Sequence, residues 1–175
     1  VQTGVGRTGT FLCCEHYNLK PDVVTLAKGL GGGLPIGAVL MNEKVAEGMG
    51  PGTHGSTFGG NPVVCAGANV VVDRMDQSFL ANVNERAVQL RAGIAKLPHV
   101  KSISGIGLMV GIEFYLKAAD VLAACREAGL LVLTAKTRLR LLPPLTLSEH
   151  DVDMALEILS DVLNKMEPTA PKEQA

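Results

Sequence analysis

The chain has 175 residues, 47% of them hydrophobic and 19% charged, with a formal net charge of -1. That is enough for one domain with a real core or for two small ones, and it argues against disorder. Acidic and basic residues are mixed and aromatics make up only 3%, so neither a nucleic-acid surface nor a base-stacking platform is expected, even around Lys136, Arg138 and Arg140.

No apolar run approaches bilayer-spanning length. Val1-Gln2-Thr3-Gly4 is neither basic nor greasy, so it does not read as a signal peptide, and it lacks an initiator Met. Adjacent Cys13 and Cys14 do not match a zinc spacing, and Cys65 and Cys125 stand alone. The expectation is therefore no metal site, reduced thiols without a structural disulfide, and a cytoplasmic setting with no membrane partner.

Val23 to Ala27 is short, β-branched and apolar, and reads as a buried strand. It runs into Lys28 and then Gly29-Leu30-Gly31-Gly32-Gly33, a loop. Ile36 to Met41 reads as a second strand, followed by a loop from Gly50 to Gly60 that carries His54, Ser56 and Thr57. Asn61-Pro62 predicts an N-cap and first turn of a helix reaching about Met75. That helix is apolar nearly all round and is expected to be buried. Leu80, Val83, Ala87, Leu90, Ile94 and Leu97 mark an amphipathic helix over Ser78 to Leu97, stopped by Pro98.

Two strands are expected next, Lys101 to Ser104 and Leu108 to Phe114, with Gly105 and Gly107 between them. Ala118 to Ala128 reads as a helix ended by Gly129, and Leu130 to Thr134 and Arg138 to Leu142 as strands. Ser148 with Asp151 forms a variant capping box for a last helix, whose buried face is Val152, Ala155, Leu159, Val162 and Met166. Residues after about Pro168 are expected to fray. Alternating helices and strands define an α/β or α+β class. The division is expected near residue 77: a glycine-rich part over 1–77, a smaller α+β domain over 78–168 and a tail over 169–175.

Gly4-Val5-Gly6-Arg7-Thr8-Gly9 matches the dinucleotide pattern G-x-G-x-x-G, but Thr10 to Cys14 does not open a helix after it, so it reads as a turn. Lys28 precedes its glycines and cannot be a P-loop lysine. Most lysines are simply exposed. Lys28, however, leaves an apolar strand, and five of the next nine residues are glycine. Small residues let a flat ligand approach the backbone, and a lysine held in an apolar site can become a nucleophile. Ser56 and Thr57 precede a helix N-terminus, where hydroxyls and N–H groups suit a phosphate, although ordinary capping explains them as well. Arg140 lies in an apolar stretch and needs a partner: a substrate carboxylate or an internal acid such as Glu113 serves equally.

Taken together, Gly6-Arg7-Thr8-Gly9, Glu15-His16-Tyr17, Pro21-Asp22, the run Thr25 to Ala38 and His54-Gly55-Ser56-Thr57-Phe58-Gly59-Gly60-Asn61-Pro62 resemble the class III aminotransferases. The resemblance extends from Val1 to about Met166 and includes Leu139-Arg140-Leu141-Leu142-Pro143-Pro144-Leu145. It implies the C-terminal portion of a pyridoxal-phosphate (PLP) transferase of fold type I. It implies Lys28 as the residue that binds the cofactor covalently and shuttles the proton at the substrate Cα. Val1 and Gln2 are implied beside the cofactor, and Thr57 at the cofactor phosphate of a partner subunit, hence a homodimer. Ser56 and Arg140 are implied at the amino-acid substrate, Arg140 on its α-carboxylate.

Within the class the acetylornithine-type branch matches most fully. It implies transfer of the δ-amino group of N2-acetylornithine to 2-oxoglutarate, in arginine biosynthesis. Ornithine, succinylornithine or 4-aminobutyrate are the alternative donors, and a non-catalytic module is the alternative outside the class. The chain departs from the class at Ser104, where arginine is usual. The aspartate that faces the pyridine nitrogen, the phosphate loop and the stacking aromatic are expected upstream of Val1. The chain therefore reads as a piece of the enzyme, inactive by itself.

Overall fold

The computed structural model describes residues 1–168; the expected frayed tail lies outside the described residues. The chain divides into two compact units, one covering Val1–Ala81 and the other starting at Asn82.

In the first unit, β1 (Val23–Leu26) pairs antiparallel with β2 (Ala38–Met41), from Val23 opposite Met41 to Leu26 opposite Ala38. A 3₁₀ turn, Lys28–Gly31, follows β1 directly. After β2 comes one helical turn, α1 (Glu43–Ala46), capped by Asn42; neither it nor a 3₁₀ turn at Cys13–Tyr17 was legible in the sequence. Helix α2 (Pro62–Arg74) begins as its caps predict, with Asn61 Oδ1 accepting from the N–H groups of Val63 and Val64 at 3.1 and 3.3 Å. It packs on the Lys28–Gly31 turn. A side chain on Gly67 would meet Leu34 Cδ1, so that leucine would have to shift. The core is Val5, Leu26, Leu30 and Ala68, with Phe11, Leu12, Ile36 and Val71 partly buried around it.

The expectation that α2 is buried all round is not met. Only Ala68 is buried, while Val63 and Val70 are 71% and 55% exposed. A single turn-and-strand layer covers one face of a helix, and this unit supplies only one such layer.

The second unit is built on a four-stranded antiparallel sheet in the order β3-β4-β6-β5, with β3 Val100–Ile106, β4 Met109–Phe114, β5 Leu133–Ala135 and β6 Arg138–Leu141. Along β4 the residues Val110, Ile112 and Phe114 are buried and their alternates are not, the period of a strand with one core face. Helices α3 (Gln77–Ile94), α4 (Ala118–Glu127) and α5 (Glu149–Asn164) contribute Val83, Ala87, Leu90 and Ile94, then Val121 and Cys125, then Val152, Leu159, Val162 and Leu163 to the buried set. Helix α4 packs against α5, β5 and β6.

The amphipathic faces therefore agree with the sequence pattern, apart from Leu80, Leu97, Ala155 and Met166, which are only partly buried. Strand β3 continues through Gly105 to Ile106, past the expected end at Ser104. Strand β5 starts at Leu133, not at Leu130. The Leu130 N–H is bonded to Cys125 O at 2.8 Å, and Gly129 N to Arg126 O at 3.1 Å. This closes α4 with the six-to-one bond of a Schellman cap, which leaves Leu130 no donor for a strand ladder. Ser148 and Asp151 cap α5 reciprocally, with the Asp151 N–H donating to Ser148 Oγ at 3.2 Å and Ser148 N–H to Asp151 Oδ2 at 2.7 Å.

Candidate functional site

Strand β1 delivers Lys28. Leu26 is buried, Ala27 is extended, and Lys28 turns into the left-handed region at φ 54° before Leu30 returns to the core. The Leu30 N–H donates to Ala27 O at 3.2 Å and closes the turn. A lysine in this region costs about 1–2 kcal/mol of backbone strain. The buried leucines on either side hold it there.

The sequence reading put the lysine in an apolar site. The structure corrects this: the apolar neighbours Leu26 and Leu30 face the core, and Lys28 between them is exposed. Further along the glycine run, nothing lies within 4 Å of where a side chain on Gly33 would stand.

Ser56 and Thr57 are exposed in the loop before α2, as is His54. Ser56 lines a hollow of about 340 Å³ with Pro35, Ile36, Gly37, Asn61 and Cys65, and Thr57 is not part of its wall. The N–H groups of Val63 and Val64 are already engaged by Asn61, so they are capped and not held open for an anion. Val1 and Gln2 are exposed. Val1 lines a different hollow, of about 240 Å³, with Thr3, Leu12, Cys13 and Thr25. The first unit thus carries Lys28, the Val1-Gln2 pair and the Ser56-Thr57 pair without gathering them around one hollow. The Gly4–Gly9 motif is a turn, tied by Val5 N–H to Phe11 O at 2.8 Å and by His16 Nε2 at 2.9 Å from Thr8 O.

Arg140 belongs to the second unit, on β6. It lines a largely apolar hollow of about 220 Å³ with Leu130, Leu133, Leu142, Pro144 and Leu156. Its Nε is buried and has no hydrogen-bond partner. The internal pair with Glu113 that the sequence left open is not formed. Glu113 Oε1 instead accepts from Lys101 Nζ at 2.8 Å, and Oε2 from Ser102 Oγ at 3.1 Å, with Arg138 Nη2 at 3.8 Å. Hydrogen bonds from Lys101 and then Ser102 hold the Glu113 carboxyl below the usual carboxylate range, and the same bond to Glu113 pushes the Lys101 ammonium up.

Ser104 donates to Gly111 O at 3.2 Å and receives Arg138 Nη1 at 3.3 Å. Sequence reasoning missed this cluster. Only the register of the β3–β4 hairpin, which sets Ser102 opposite Glu113, would have exposed it. The four cysteines are free. Among the described residues there is no His/Cys/Asp/Glu group that could hold a metal, and no helix is long and apolar enough to cross a membrane.

Residues 1–163 match the family model of class-III aminotransferases, and the chain belongs to that family. It is 52% identical over 168 residues to acetylornithine aminotransferase of Haemophilus ducreyi, covering 95% of this chain and 43% of that protein. Among solved structures, N-acetylornithine aminotransferase from Stenotrophomonas maltophilia superimposes with a TM-score of 0.83 at 34% identity, over 94% of this chain and 45% of that one. The ornithine aminotransferase from Toxoplasma gondii, with partial occupancy of PLP at its active site, gives 0.84 at 32% identity, over 94% and 41%. The mixed helix-and-sheet fold is that of the aminotransferases, and the chain spans less than half the length of the relatives it matches.

Proposed function

We propose that the protein to which this chain belongs is a PLP-dependent transaminase that moves the δ-amino group of N2-acetylornithine to 2-oxoglutarate, in arginine biosynthesis and in the cytoplasm. The observation that carries this reading is Lys28 itself: an exposed amine in a strained turn at the end of β1, directly ahead of its glycine run. The acetylornithine branch is supported by curated relatives of that name at 52% and 46% identity. Ornithine is the second reading, supported by structural relatives that act under that name at 32–36% identity.

Bound pyridoxal phosphate supplies an electron sink for the carbon that loses its proton. The chain's own residues do the rest. Lys28 Nζ would hold the cofactor covalently and would take and return the proton at the substrate carbon. Val1 and Gln2 would contribute contacts to the bound cofactor. Arg140, which forms no ion pair among the described residues, takes a substrate carboxylate through its planar fork of donors. Ser56 contacts the amino acid. Thr57, exposed in the loop before α2, would donate its hydroxyl to the cofactor phosphate of a second subunit, which requires a homodimer. The remaining cofactor contacts are proposed to come from outside these residues, so the 175-residue chain alone is expected not to turn over.

The test is borohydride reduction of the full-length protein loaded with pyridoxal phosphate, followed by peptide mass mapping and by assays with the four candidate amino donors. A cofactor mass on Lys28, lost in Lys28→Arg, with acetylornithine the preferred donor, is the expected result. Labelling elsewhere, undiminished in Lys28→Arg, would overturn the reading.

A further inference from the structure

We propose that the Gly4–Gly9 turn is the seat of the lysine turn, and that Val5 within it is a positioning residue for Lys28. The proposal rests on the role given to Lys28 above and gives a task to a motif that the mechanism leaves unused.

Val5 and Lys28 are both non-glycine residues in the left-handed region, each at φ 54°. For a β-branched residue that conformation is an outlier. Glycine adopts it freely, and Val5 stands between two glycines, Gly4 and Gly6. What holds a valine there is the surroundings of its side chain. Val5 is 4% exposed and belongs to the core of this unit, with Leu26, Leu30 and Ala68. Burial of the apolar side chain offsets the unfavourable backbone.

Those core partners bracket the lysine. Leu26 lies two residues before Lys28 and Leu30 two residues after it. A side chain on Gly4 would stand 3.0 Å from Leu26 Cδ2, so the backbone at Gly4 lies close against that leucine. A side chain on Gly29, directly after Lys28, would meet Val5 Cβ at 3.9 Å and, its chain neighbours apart, nothing else within 4 Å among the described residues. Gly4 and Val5 therefore run along the turn from just before the lysine to just after it. The turn has few bonds of its own: Leu30 N–H donates to Ala27 O at 3.2 Å and Gly32 N–H to Gly29 O at 3.1 Å. Its glycines bring no side chains, so packing from outside must restrain the lysine's backbone. The seat is itself tied down. Val5 N–H donates to Phe11 O at 2.8 Å and Gly9 N–H to Gly6 O at 3.0 Å. Thr8, 2% exposed, donates its hydroxyl to Thr3 O at 3.4 Å, and His16 Nε2 lies 2.9 Å from Thr8 O. A group that takes and returns a proton must stay within hydrogen-bond reach of its target, so play in the backbone that carries it costs rate. Val5 limits that play.

The experiment compares wild type, Val5→Gly, Val5→Ala, Val5→Ile and Val83→Ala in the full-length protein. Val83 is buried on α3 in the other unit and controls for a general loss of stability. The first readout is hydrogen exchange of residues 28–32 in the cofactor-free protein; the second is kcat and KM of the cofactor-loaded protein. Val5→Gly relieves the backbone of residue 5 but removes the packing against the turn. It is expected to speed exchange over residues 28–32 about tenfold. It is also expected to lower kcat about tenfold, with KM little changed. Val5→Ala should move both readouts the same way, whereas Val5→Ile, which keeps a β-branched apolar side chain, should stay near wild type. Unchanged exchange in Val5→Gly and Val5→Ala, or a change no larger than in Val83→Ala, overturns the seat. Faster exchange at unchanged kcat overturns the positioning role. If Lys28→Arg keeps both cofactor labelling and turnover, the fault lies in the role of Lys28, and the exchange rates still decide whether Val5 holds the turn.

Discussion

Gly105 and Gly129 both have backbone angles that L side chains rarely adopt, φ 98° and 85°, yet they differ in what surrounds them. A methyl group on Gly105 would fall on the carbonyl of Met109, across the tight β3–β4 hairpin. At Gly129, the residue that ends α4, nothing lies within 4 Å. Gly129→Ala should therefore cost only the left-handed backbone term, about 1–2 kcal/mol. Gly105→Ala carries a similar term plus overpacking against backbone that cannot swing aside, about 1–3 kcal/mol more, so a total of roughly 2–5 kcal/mol is expected. Urea unfolding followed by far-ultraviolet circular dichroism measures both, with the midpoint shift read at unchanged slope. Gly105→Ala should lower the midpoint clearly further than Gly129→Ala, by about one and a half times or more. Equal shifts, or a smaller one at Gly105, would refute the claim that the hairpin is closed to a side chain.

Other perturbations test other parts of the structure. Ser148→Ala removes one half of the reciprocal cap on α5 and should destabilise the chain by about 1 kcal/mol, while Ser148→Asp should restore most of the loss, both read from the same unfolding curves. Asp151 and Glu113 have carboxyl pKa values lowered by hydrogen bonds, from Ser148 and from Lys101 and Ser102 respectively. Their stabilisation is present above the unfolded carboxylate range and disappears as pH falls through the lower folded values. The wild-type midpoint should therefore drop below about pH 4, with a smaller drop in Asp151→Asn/Glu113→Gln. The Lys101 ammonium is raised by the same bond to Glu113, so its contribution holds up to the ordinary lysine range and is lost only as pH rises through the higher folded value. Arg140→Lys keeps the charge but loses the planar fork, and in the full-length protein it should raise KM for both substrates about tenfold or more with a smaller effect on kcat. An equal fall in kcat at unchanged KM would argue against a carboxylate role.

Much of this was legible in the residues because it is local. Asn61-Pro62, Ser148 with Asp151 and Gly129 mark helix ends through bonds to neighbours a few positions away, and each ends a helix where expected. The apolar spacing over Val83, Ala87, Leu90 and Ile94 marks a face that is buried. The lysine before its glycines, the Ser56-Thr57 loop and Arg140 could be picked out as motifs, and the family they suggested is the one the chain belongs to.

What the residues could not reveal depends on which surfaces meet. Helix α2 reads as buried because its composition is apolar, but burial is decided by how many layers are present to cover it, and here one face suffices to pack the turn after β1. Lys28 reads as enclosed because its neighbours are apolar, but the turn sends Leu26 and Leu30 inward and leaves the lysine exposed. Whether Arg140 pairs with Glu113 could not be settled from composition, since both are charged residues on adjacent strands. The register decided it by setting Lys101 and Ser102 of β3 within reach of Glu113 first. Caps and periodic faces are written in residues a turn apart, whereas exposure and charge partners depend on residues that only the folded chain brings side by side.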